Sequence, residues 1–324
     1  MTEEMNQSPP AKRRRMPAAN VVISHKVVTG PYWFIDGDFI LRVEDYQFKI
    51  HHKRLECSEI FSDMLALPQP TKMENIDGCA FVDLADSAAD WMVVLEWIYE
   101  PGKFLERPHV FATLSAALRI STKYEIPLLR EWCLADLRSR WPRELEDMGS
   151  TSLAHAAGEQ ATCFVFDVLR RTELEAISLA RECDVPEILP AAFYILSVQK
   201  WSASAEGGRS HITLPPSDLR RVIVGRERLN EVTLNFAIDP VPEAYARLIC
   251  DSCRPQMERF WRSMLTPKPA SPWGCWLLRD LKQMTSQEGI PHDWCTVCDF
   301  QNTSLAWHRM DGLKRAIPKF FLVE

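Results

Sequence analysis

Residues 37–65 read GDFILRVEDYQFKIHHKRLECSEIFSDML, and residues 117–141 read ALRISTKYEIPLLREWCLADLRSRW. Phe39-Ile40-Leu41-Arg42-Val43 has the β-branched and aromatic bias of a strand. Glu44-Asp45 makes a tight reversal, and Tyr46-Gln47-Phe48-Lys49-Ile50 alternates apolar and polar residues at period 2. The spacing predicts a hairpin with one buried face. Ser58 is placed to cap a helix over Glu59–Leu67, with Ile60, Phe61, Met64 and Leu65 on one stripe and Pro68 and Pro70 beyond its end. Cys79–Leu84 reads as a third strand.

Working outward, Asp86 or Ser87 would cap a helix lined by Trp91, Val94, Leu95 and Ile98, which Pro101-Gly102 should stop. A helix over 109–123 presents Val110, Leu114, Ala117, Leu118 and Ser121. After Pro127, a last helix turns Leu128, Leu129, Trp132, Cys133 and Leu137 inward. The expected fold class is therefore α+β: a short three-stranded sheet with a helical cluster, followed by a mostly α-helical C-terminal extension.

The remainder of the chain limits what this stretch can serve. With 324 residues and 46% hydrophobic content, the chain has enough apolar mass for one large or two modest domains. A net charge of −6 gives the whole molecule no attraction to nucleic acid or an anionic membrane, so direct nucleic-acid binding is not expected. Nothing approaches about 18 consecutive apolar residues, so no membrane span is expected. Ten cysteines without a secretory signal belong in a reducing compartment, as thiols or metal ligands. That places the protein inside the cell, in nucleus or cytoplasm. Residues 1–28 have a disordered composition around the basic run Lys12, Arg13, Arg14 and Arg15, which reads as a nuclear localisation signal or as a solvated charge cluster.

Four phrases carry a family resemblance. They are the hairpin before Phe48-Lys49-Ile50-His51, the run Leu55 to Phe61 around Cys57-Ser58-Glu59-Ile60, Leu95-Glu96-Trp97-Ile98-Tyr99, and the run Leu118 to Leu129. In order and spacing, residues 29–145 resemble a BTB/POZ domain, of the type abundant in mushroom-forming fungi. At the doubled His51-His52 the chain is one residue short of the family's usual spacing to the next helix. The resemblance implies protein–protein interaction, with self-association as a homodimer through residues 32–67. It also implies a histidine of structural role at the strand end. A further implication is an adaptor or scaffold role, either as a cullin-type ubiquitin ligase adaptor or as a nuclear transcription or chromatin regulator. The phrases Ile177 to Glu182, Leu189 to Tyr194 and Gly225 to Leu229 are similar to the segment that follows the domain in those fungal proteins, and imply a helical extension over 146–240.

Residues 241–324 form a Cys- and Trp-rich helical tail. Met257, Phe260, Trp261, Met264 and Leu265 make an apolar stripe after Pro255, and a second helix runs over 276–284. Here Cys250-Asp251-Ser252-Cys253 and Cys295-Thr296-Val297-Cys298 form two Cys-x-x-Cys knuckles, able to present four thiolates to a structural zinc ion. The 41 residues between Cys253 and Cys295 exceed the roughly 15–20 of familiar zinc ribbons, and an insertion of that length could fold as a helical hairpin that still brings the knuckles together. Cys275, His292 and His308 are spare ligand candidates, and the alternative is four reduced cysteines packed in a helical core. Neither pair follows a strand in a βαβ pattern, which weakens a redox reading. Trp91, Trp97, Trp132, Trp261 and Trp273 read as core, and Glu144, Glu146 and Asp147 as a solvated helix end. No nucleophile–base ordering or phosphate-cradling loop is present, so the chain is not expected to be an enzyme.

Overall fold

The strand Phe39–Val43 is apolar at four of its five positions. In the computed structural model, which describes residues 28–67, 75–106, 110–142, 163–198, 214–265, 277–286 and 294–321, Phe39, Ile40, Leu41 and Val43 are all buried. Lys12–Arg15, the expected helix over 145–157, the loop 202–210, the carboxylates at 144–147, Trp273, Cys275 and His292 lie outside those residues. The described residues form two compact units, one within Met1–His51 and Met73–Ala88, the other within His52–Lys72 and Ala89–Glu324.

The first unit is a sheet of order β1-β3-β2-β4, where β1 is Val28–Trp33, β2 Phe39–Val43, β3 Tyr46–Ile50 and β4 Ala80–Leu84. β2 and β3 pair antiparallel, with Leu41 opposite Phe48, and β4 runs parallel to β2, with Leu41 opposite Val82. The expected three strands are thus four. β1, parallel to β3, occupies a segment whose Gly30-Pro31 looked like punctuation. Both residues suit an edge strand. Pro31 lacks a donor that only a second neighbour would need. A Cβ on Gly30 would stand 2.3 Å from Phe48 Cε1, so the ring lies flush against the backbone only because glycine is there.

The hairpin reversal falls where expected. Glu44 adopts a positive φ of 51°, a conformation unfavourable for a side-chain-bearing residue. Its carboxylate accepts the Ala88 amide at 3.1 Å, at the start of the helix Ala88–Tyr99, in the role expected of Asp86 or Ser87. On the sheet surface Arg42 pairs with Asp83, its partner in register, and holds that carboxyl below its usual range. Lys49 donates to Asp77 at 2.7 Å.

In the second unit, a 3-10 turn over His52–Cys57 leads to α1 (Glu59–Ala66). Ser58 accepts the Phe61 amide at 3.1 Å, as its position requires, and donates to the Tyr124 carbonyl. One buried hydroxyl therefore caps α1 and fastens it to the corner between α4 (Phe111–Lys123) and α5 (Pro127–Arg140). Phe61, Trp91 and Tyr124 pack around this point, with ring centroids 5.2 to 5.8 Å apart. Ser58→Ala removes the cap and strands both partners. We expect a loss of about 1–2 kcal/mol in denaturant unfolding, restored in part by Thr.

α2 (Ala88–Tyr99) buries Trp91, Val94 and Leu95. Pro101 does stop it, yet also opens α3 (Pro101–Glu106), because proline fits the first helical turn. α3 sets Phe104 against Trp132, centroids 4.9 Å apart. Three residues expected to face inward do not. Ile60, Val110 and Leu128 are exposed, since Phe61 and Leu129 take the inward positions beside the first and third, and Val110 precedes the first turn of α4.

α6 (Cys163–Glu182), a 3-10 turn at Pro186–Ile188 and α7 (Leu189–Val198) follow. Every residue of α7 is buried, as suits a helix apolar on all sides. α8 (Pro216–Ile238) packs beside it, with Gly225 facing Phe321 and Phe321 stacked on Phe193 at 6.0 Å. Buried Asp218 is matched by Arg181 at 2.8 Å and Arg221 at 3.6 Å. Among the described residues, no helix is long and apolar enough to cross a membrane.

Glu173 on α6 is buried, and its carboxylate accepts the Trp141 indole N–H at 2.6 Å. Burial pushes this acid up to about 8, against which the indole hydrogen bond works only partly. The folded chain keeps a proton that the unfolded chain releases above about pH 4.5, so stability falls as pH rises from there to about 8 and then levels off. Glu173→Gln keeps an acceptor for Trp141 without the protonation cost, which is roughly 3 kcal/mol at pH 7. We expect the variant to unfold later than wild type at pH 8 and to match it near pH 4.5. An unchanged pH slope would contradict this account of Glu173.

Candidate metal centre

Two helix beginnings build the cysteine cluster. At the first, Cys250 and Cys253 close a turn in which the Cys253 amide donates to the Cys250 carbonyl at 3.1 Å, and α10 (Arg254–Leu265) starts at the next residue. At the second, the Asp299 amide donates to the Cys295 carbonyl at 2.9 Å as α12 (Thr296–Phe321) begins. The short helix α9 (Glu243–Ala246) precedes the first knuckle, and α11 (Leu277–Ser286) lies between the two. The described residues of the insertion include two helices, Arg254–Leu265 and Leu277–Ser286.

All four sulfurs lie within 4.8 Å of one another. Cys250 Sγ and Cys298 Sγ are 3.5 Å apart, close to the edge of about 3.8 Å that a tetrahedron of Zn–S bonds near 2.3 Å would set. The backbone ties are reciprocal. The Cys250 amide points at Cys298 Sγ and the Cys295 amide at Cys253 Sγ, each at 3.4 Å. The first cysteine of each knuckle is exposed and the second buried. Amide donors and the positive ends of two helices favour thiolates here. The Ser252 hydroxyl, 3.3 Å from Cys250 Sγ, and the neighbouring thiols hold Cys250 down to about 6, while burial pushes Cys298 up to about 12.

The packing behind the knuckles keeps them together. α10 buries Met257, Trp261 and Leu265, and α12 buries Cys298, Asn302, Leu305 and Arg309 along one stripe. Trp261 donates its indole N–H to Asn302 Oδ1 at 2.9 Å. The Arg309 guanidinium lies between Phe236 and Trp261, 4.3 and 4.4 Å from their ring centres, and donates to the Asp239 carbonyl at 2.7 Å. Its burial lowers it to about 10. Trp294 bonds Asp299 at 3.1 Å and meets Phe260 edge-on.

All four predicted cysteines therefore converge, and His308 does not join them. It lies ten residues beyond Cys298 on α12, about 15 Å along the axis, beside Tyr245. His51 sits against Phe34, with Nε2 3.4 Å from Asp36, and has the surroundings of a packed strand-end residue. Trp91 and Trp261 are fully buried, and Trp97 and Trp132 partly so. Sequence reasoning missed Ser252 and the amide donors. Comparison with family models, with curated proteins and with solved structures found no match to this chain.

Proposed function

We propose that the chain is a self-associating protein-interaction scaffold of the BTB/POZ type, with a structural zinc ion fastening its C-terminal helices. The observation that carries the first part is the exposure of Ile35 (94%), Ile60 (42%) and Leu67 (63%) within residues 32–67, the segment that the resemblance assigns to the dimer. Apolar side chains this open to water gain from being covered. The order of hairpin, α1, β4 and α2 to α5 is also the order that the resemblance requires.

The test is a double variant, Ile60→Glu with Leu67→Glu, in the full chain. Two charges placed at each half of a symmetric interface are repeated in the other half, so sedimentation should show a wild-type dimer and a variant that dissociates at least a hundredfold more readily. Equal sedimentation of both proteins as dimers would place the contact elsewhere.

The zinc reading rests on the donor set. Four thiolates in a compact cluster suit zinc or an iron–sulfur centre, and two helix-start knuckles without further ligands suit a closed structural zinc site. Cys250, Cys253, Cys295 and Cys298 would hold the ion. Its role is to cross-link α10 to α12. A nuclear role draws on Lys12–Arg15. Replacing these four residues by alanine should shift the protein to the cytoplasm.

A further inference from the structure

The four sulfurs pair an exposed with a buried cysteine across the two knuckles. Cys250 is exposed, and the buried Cys298 Sγ of the opposite knuckle lies 3.5 Å from its sulfur. The reciprocal amide bonds cross in the same sense, joining Cys250 to Cys298 and Cys295 to Cys253. Each exposed cysteine is thus tied to a buried one across the gap. The helices behind hold that crossing in place through Trp261, Asn302 and Arg309.

We infer that the cluster is a peroxide-responsive clip that releases its metal and closes a Cys250–Cys298 disulfide, so that the tie between α10 and α12 persists in the oxidised state. This rests on the zinc reading for the metal, and on sulfur placement alone for the disulfide. Cys250 is the accessible nucleophile. Its thiolate attacks one oxygen of hydrogen peroxide, the O–O bond breaks, and the departing hydroxide takes a proton to leave as water. The Cys250 sulfenic acid is then attacked by Cys298 Sγ. The S–S bond forms, the S–O bond breaks, and a second water leaves. Two thiols lose two electrons to one peroxide, giving one disulfide and two waters. With two of four ligands consumed, the remaining Cys253 and Cys295 hold the metal weakly.

Pairing across the knuckles matters for the outcome. A disulfide inside one Cys-x-x-Cys turn would cut the link between the two helices, whereas Cys250–Cys298 closes a loop of 47 intervening residues and keeps it. The sulfurs need to approach by only about 1.5 Å to reach a bond of about 2.05 Å.

The experiment treats the purified full chain, zinc-loaded and metal-free in parallel, with one equivalent of hydrogen peroxide. Released zinc is read with a chromogenic chelator, disulfides by non-reducing peptide mapping, and the fold by far-UV circular dichroism. Expected are zinc release in step with a Cys250–Cys298 cross-link, the same cross-link in the metal-free chain, helical signal kept, and recovery on reduction with added zinc. Cross-links confined to Cys250–Cys253 or Cys295–Cys298, or four thiols that remain reduced, would overturn the inference. If the chain binds no zinc yet forms Cys250–Cys298, the clip stands and the zinc reading fails. If zinc binds stoichiometrically and no cross-knuckle bond forms, the reverse holds.

Discussion

Cys253→Ser is expected to empty the metal centre and to destabilise the C-terminal helices by about 4–5 kcal/mol or more, among the largest effects of a single substitution. Cys253 is buried where α10 begins, and its sulfur accepts the Cys295 amide. Serine preserves the size of the side chain but not the soft thiolate that zinc prefers. Elemental analysis of the wild-type chain should give one zinc per chain, and the variant far less. Because a structural metal contributes its binding energy to folding, a strong chelator should lower the melting temperature of wild type towards that of the variant. Protons compete for the same thiolates, so zinc should also leave as pH falls. Stoichiometric iron in place of zinc would contradict the assignment, and equal melting of wild type with and without chelator would contradict the structural role.

Gly225→Ala should be nearly as damaging, for a purely steric reason. A Cβ at this position would stand 2.0 Å from Phe321 Cε1 and 2.2 Å from Cδ1. Phe321 cannot retreat easily, because it is fully buried and stacks on Phe193 of the buried helix α7. Alanine normally favours a helix over glycine by about 1 kcal/mol, so its intrinsic preference works in the opposite direction. We expect overpacking to prevail, with a net loss of about 3 kcal/mol in chemical denaturation. The double variant Gly225→Ala with Phe321→Ala separates the causes. If the clash is the mechanism, the two losses combine to much less than their sum.

Much of this was legible in the chain where the signal is local. The β2–β3 hairpin followed from period-2 alternation around Glu44-Asp45, and the Ser58 cap from a short polar residue ahead of an apolar stripe. The four cysteines were legible as two knuckles because each is a four-residue turn leading into a helix. What could not be read depends on neighbours distant in sequence. β1 was obscured because Gly30 and Pro31 are unfavourable in an isolated strand and acceptable only at a sheet edge against Phe48. Helix was expected over 241–324, but the bounds of α12 beyond Cys298 were not legible, because its buried stripe includes Asn302 and Arg309, polar residues made tolerable by Trp261, Phe236 and the Asp239 carbonyl. The outward turn of Ile60 and Leu128 likewise reflects which neighbour claims the inward position, and period alone does not decide between adjacent apolar residues.

Self-association can be read from size-exclusion chromatography with light scattering on the zinc-loaded full chain at tens of micromolar. The expected result is a mass twice that of the 37.3 kDa chain. A single peak at the mass of one chain would contradict it.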